Sequence, residues 1–117
     1  MQSNGYRDLI VWQKAIDLVV LIYGLTKDFP REEVYGLVSQ MKRAAVSISS
    51  NIAEGNRRAS IKDRKHFLVI AFGSTAELET QVEVAKRLEF GKKEKYGEID
   101  PLLDEVARML NKMSSMD

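Results

Sequence analysis

The chain has 117 residues, 44% of them hydrophobic and 30% charged, with a net charge of +1 at neutral pH. That length fits one domain over residues 1–117, and the composition excludes a disordered or fibrous polymer, while the small net charge excludes a polycation. The absence of cysteine excludes disulfides, thiolate zinc sites and cysteine nucleophiles, and a cytoplasmic location is the default expectation.

The stretch Met1 to Asp8 has no basic region followed by an apolar segment and a small-residue cleavage site, so no secretory signal is expected. A first helix is predicted from about Asp8 to Lys27, with Leu9, Trp12, Ile16, Val19, Ile22 and Leu25 recurring every three or four residues. A second is predicted to start at Pro30, with Asp28 as a possible cap, and to carry Val34, Leu37, Met41, Ala45, Ile48 and Ile52 until Gly55 and Asn56 end it. Ser60 with Asp63 three residues on resembles a capping box that opens a third helix through Phe67, Ile70, Ser74, Leu78, Val82, Ala85 and Leu88 to about Phe90. Gly91 and Gly97 bracket the next loop. Asp100 and Pro101 then read as the cap and first turn of a fourth helix lined by Leu102, Val106, Met109 and Met113. No strand pattern occurs, and the apolar runs are far too short to span a membrane. The expected architecture is all-α: an antiparallel up-down-up-down four-helix bundle.

Two runs, Leu18 to Tyr23 and Phe67 to Phe72, are apolar on every side of a helix. Either the first and third helices are the most buried pair or their outer faces meet another subunit, and the second reading is favoured. Ala44, Ser47 and Asn51 form a small-residue line on the second helix that would admit a close neighbour.

Chemistry is sparsely provided for. The single histidine, His66, lies three residues after Asp63, but a di-iron bundle needs two such elements and two further carboxylates, so no metal or other cofactor is expected. Glu77, Glu79 and Glu83 read as a solvated face with a Glu83 to Arg87 pair. No base is spaced to activate Ser47, Ser49 or Ser50, and no phosphate-binding glycine loop is present. Asn51 and Glu54 are expected to be structural. An enzyme is not expected.

Charge placement says more. Arg57, Arg58, Lys62, Arg64 and Lys65 face a single acid, Asp63, within nine residues at the turn into the third helix, where free backbone amides add partial positive charge. These five are the candidate nucleic-acid-binding residues. The plainer reading is a solvated turn. Selectivity is expected to be weak, because phosphate contacts read no bases and the window holds no aromatic side chain. A second basic group, Lys86, Arg87, Lys92, Lys93 and Lys95, is diluted by Glu89 and Glu94 and is expected at the opposite end.

The residues Leu9, Val11 to Ala15, Phe29, Pro30, Tyr35 to Leu37, Ser39, Gln40, Arg43 to Ile48, Ser50 to Gly55, Gly73, Ser74 and Glu77 to Glu79 carry a resemblance over nearly the whole chain. It resembles the 23S rRNA intervening-sequence protein family. The resemblance implies a four-helix bundle assembled into a homopentameric ring. The chain is also similar to accessory proteins of diversity-generating retroelements, whose basic rings bind a reverse transcriptase and nucleic acid; those are strongly basic, and this chain is nearly neutral. Two roles follow as expectations: a homo-oligomer that associates with RNA or DNA, RNA before DNA, or an assembly that docks a protein such as a reverse transcriptase.

Overall fold

The structure, a computed structural model, describes residues 5–116. Met1 and the rest of residues 1–4 in the Met1 to Asp8 stretch, and Asp117, lie outside the described residues. A 3-10 turn, Gly5–Asp8, leads into α1 (Ile10–Thr26); α2 (Leu37–Arg57), α3 (Ile61–Arg87) and α4 (Tyr96–Ser115) follow, with 3-10 turns at Arg31–Glu33 and Lys93–Lys95. All regular elements among the described residues are helical, as the periodicity predicts. None is long and apolar enough to cross a membrane.

Side-chain contacts give the helix directions. Lys42 lies over the Tyr23 ring at 4.5 Å and Arg57 over Tyr6 at 5.5 Å, so α2 runs back along α1. Ser47 meets Ser74 at 2.9 Å while Gly55 packs on Phe67, so α3 runs back along α2. Lys14 pairs with Glu105 at 3.1 Å and Lys95 Nζ donates to the Gly24 carbonyl at 3.0 Å, which sets α4 antiparallel to α1. The four helices form a closed square around one apolar core that includes Leu18, Ile22, Leu25, Met41, Ile48, Ile52, Leu78, Ile99 and Leu110. Burying each such side chain is worth about 1.5–3 kcal/mol.

Four helix limits differ from expectation; α3 ends at Arg87, short of Phe90. Pro30 precedes a 3-10 turn rather than α2, which starts at Leu37, where the backbone N–H donates to Glu33 Oε1 at 3.2 Å. Gly55 does not end α2; it is buried inside the last turn, and α2 continues to Arg57. Asp100 is not a cap: α4 begins at Tyr96 and passes through Pro101, while Asp100 accepts an ion pair from Lys86 Nζ at 2.5 Å. Burial of Tyr96 and Ile99 holds the turn ahead of the proline, which withholds one N–H only. The Tyr96 hydroxyl donates to the Phe90 carbonyl at 2.7 Å, and burial, then the charge of Asp100, push its pKa up to about 12.

The buried stripes are also rotated from those expected. In α1 the core takes Val11, Ala15 and Leu18 ahead of the shared Ile22 and Leu25; in α3 it takes Ala71 and Thr75 in place of Ile70 and Ser74; in α4 it takes Ile99, Leu103 and Leu110 around the shared Val106. At Ser47 the small-residue line on α2 meets α3 of the same chain. Ser47 hydroxyl bonds that of Ser74, and Asn51 Nδ2 donates to the Ser47 carbonyl at 2.8 Å. Asn51 thus satisfies a polar seam inside the bundle.

A candidate nucleic-acid interface at the α2–α3 turn

The link between α2 and α3 is only residues 58–60, so the last turn of one helix and the first turn of the next are forced together. Ser60 is the N-cap of α3, its hydroxyl accepting from the Asp63 N–H at 3.1 Å. That bond satisfies one of the amides a helix start leaves free. Arg64 folds back and donates from Nε to the Arg58 carbonyl at 2.7 Å, tying the two helix ends. Gly55 makes the approach possible: a Cβ there would lie 3.0 Å from Phe67 Cβ and 3.2 Å from the Arg64 carbonyl oxygen.

All five basic residues of the window lie on this turn. The guanidinium of Arg58 sits 4.9 Å over the Phe67 ring and 3.0 Å from Glu54 Oε2. An exposed pair of this kind contributes about 0–1 kcal/mol and leaves the arginine available to a phosphate. Glu54 is therefore a surface partner of Arg58. Lys62 is exposed and Lys65 half-buried, one turn apart on the start of α3. Arg57 reaches in another direction, over the Tyr6 ring.

That contact brings in residues outside the basic window. The 3-10 turn Gly5–Asp8 packs beside the end of α2, placing the Arg7 guanidinium 5.3 Å from the Tyr6 centroid. Trp12 supports Tyr6 at 5.1 Å, and Gln13 Nε2 holds the Arg7 carbonyl at 2.9 Å. The patch thus has six cations, Arg7 added to the five, against Asp8, Glu54 and Asp63. Exposed His66 meets the Phe67 ring edge-on at 5.3 Å.

Elsewhere cations and carboxylates are interspersed. Of the second basic group, Lys86 pairs with Asp100, Arg87 with Glu83 at 3.0 Å, and Lys95 with Asp28 at 3.6 Å. This group lies at the far end of α3, about 40 Å away along a 27-residue helix. Among the described residues no three His, Asp or Glu side chains gather to hold a metal ion. An open cleft of about 540 Å³ between the end of α1 and the start of α2 is lined by Lys27, Arg31, Tyr35 and Lys42, with no carboxylate or imidazole to move a proton.

The model of the 23S rRNA-intervening sequence protein family matches residues 7–112. The chain is also similar to a crystal structure from Bacteroides thetaiotaomicron, described as a protein of unknown function from the S23 ribosomal protein family. The two are 27% identical with a TM-score of 0.82, over 92% of this chain and 100% of the other. No curated protein matches.

Proposed function

The chain belongs to the 23S rRNA-intervening sequence protein family, and on that footing we propose that it is a non-enzymatic homo-oligomer, a pentameric ring, that associates with RNA through the α2–α3 turn. The observation that carries this reading is that Arg57, Arg58, Lys62, Arg64 and Lys65 lie where α2 passes into α3, next to a helix N-terminus, with Arg7 brought beside them by the Gly5–Asp8 turn. Arginine forks and lysine ammonium groups suit phosphate oxygens, and each phosphate neutralised releases counterions. A ring multiplies the contacts: several modest patches on one assembly hold a polyanion more tightly than one patch does. Such contacts position a strand without reading its sequence.

Fluorescence anisotropy with a labelled RNA, at low and moderate salt, tests this. Binding should weaken steeply with salt, and Arg57→Ala with Arg58→Ala should lower affinity for every sequence and reduce the salt slope by about one unit per lost phosphate contact. Equal binding by the native chain and the double variant removes the turn from consideration. The second reading, a protein-docking assembly whose partner is a protein such as a reverse transcriptase, draws on the exposed apolar residues Val34 and Tyr35 ahead of α2. It predicts little RNA binding at any salt.

A further inference from the structure

The basic turn carries planar groups as well as charges, and its aromatic members come from outside the nine-residue basic window. Tyr6 has two guanidinium groups over its ring, Arg7 at 5.3 Å and Arg57 at 5.5 Å from its centroid. Phe67 has the Arg58 guanidinium over its ring at 4.9 Å and the exposed His66 ring 5.3 Å away, inclined by 73°. Each of these guanidinium groups therefore lies against an aromatic ring that is half-buried in the fold.

Resting on the RNA association proposed above, we infer that this surface takes an unpaired nucleic-acid strand in preference to a duplex, stacking bases on the Arg7–Tyr6–Arg57 group and on His66 while Lys62, Arg64 and Lys65 meet the phosphates. Point charges alone favour the duplex, whose phosphates are denser along its axis. Planar groups favour the other form. A duplex keeps its bases stacked on one another, whereas an unpaired strand offers free base faces to aromatic rings and guanidinium planes. An arginine already laid on a ring also loses less freedom when a base adds to its outer face. Each stacked base is worth about tenfold in affinity, and stacking is indifferent to which base it is. The site therefore distinguishes strand form without distinguishing sequence.

The test compares a labelled unstructured RNA strand with the same strand in a blunt duplex, at matched salt, on the full chain. The native protein should favour the single strand by about tenfold or more. Tyr6→Leu and His66→Ala should each lose about fivefold to tenfold on the single strand and little on the duplex, and Tyr6→Phe should behave as the native protein. His66 is exposed, so its variant serves even where loss of Tyr6 loosens the N-terminal turn. Equal affinity for the two forms, or equal losses on both, overturns the inference while salt-sensitive binding keeps the basic-turn reading. Absence of salt-sensitive binding to either form overturns both.

Discussion

At Glu89 the backbone turns left-handed, with φ at 57°, the one non-glycine among the described residues to do so. The turn closes α3: Phe90 N–H reaches the Ala85 carbonyl and Glu89 N–H the Lys86 carbonyl, both at 3.0 Å, the paired bonds of a Schellman cap. Glycine is the residue that occupies this position without a Cβ penalty. Glu89→Gly should therefore raise stability by roughly 0.5–1 kcal/mol, read as a higher urea midpoint at fixed protein concentration. An unchanged or lower midpoint would mean that the glutamate side chain offsets its own strain. The candidate interface was half legible at this scale. Arg57 to Lys65 are neighbours in sequence, so their density shows in a window; Tyr6 and Arg7 join them only because α1 runs back along α2, which no local pattern records.

Between elements, the closest approach is that of α2 and α3 at Gly55. An added methyl would press on Phe67 Cβ and on the Arg64 carbonyl, backbone that cannot rotate aside. Alanine favours a helix over glycine by up to about 1 kcal/mol, but overpacking of this kind costs about 1–3 kcal/mol. Gly55→Ala should accordingly lose about 1 kcal/mol on urea unfolding, while Gly24→Ala, with nothing within 4 Å, should not lose any. A gain at both sites would show that the two helices slide apart freely. Element number and type were readable from period and caps, above all the Ser60 cap of α3. The prolines misled because each allows a helix start without requiring one: Pro30 opens a 3-10 turn and Pro101 lies inside α4. The stripes were misassigned where helices are apolar on several sides, as α1 is, so that period alone does not choose the inward face. Close packing chooses it. Ala15 and Ala71 are fully buried, small residues that let neighbouring helices approach, whereas larger Val20 and Val69 remain outside.

For the molecule as a whole, the exposed side of α3 is the feature that a lone bundle does not account for. Val69 is 54% exposed and Val84 42%, Gly73 has open space beyond its Cα, and Ala76 and Thr80 lie exposed between them. These positions recur every three or four residues and so share one face of the helix. In a ring, that face is a surface against which a neighbouring copy can exclude water, and Ala76 is at its centre. Ala76→Lys separates the alternatives. On a free bundle the lysine extends into water from a good helix-forming position, and the change should cost within about 0.5 kcal/mol. Beneath a neighbouring subunit the same ammonium group would be buried without a partner, a cost that an interface of ordinary size does not absorb. Size exclusion with light scattering should therefore give an oligomer mass for the native chain and a monomer mass for the variant, with the same helix content by circular dichroism. A monomer mass for the native chain at micromolar concentration would exclude the ring. An oligomer that survives Ala76→Lys would move the contact away from α3, and the outer face of α1, with Val20 65% and Tyr23 42% exposed, would be the surface to alter next.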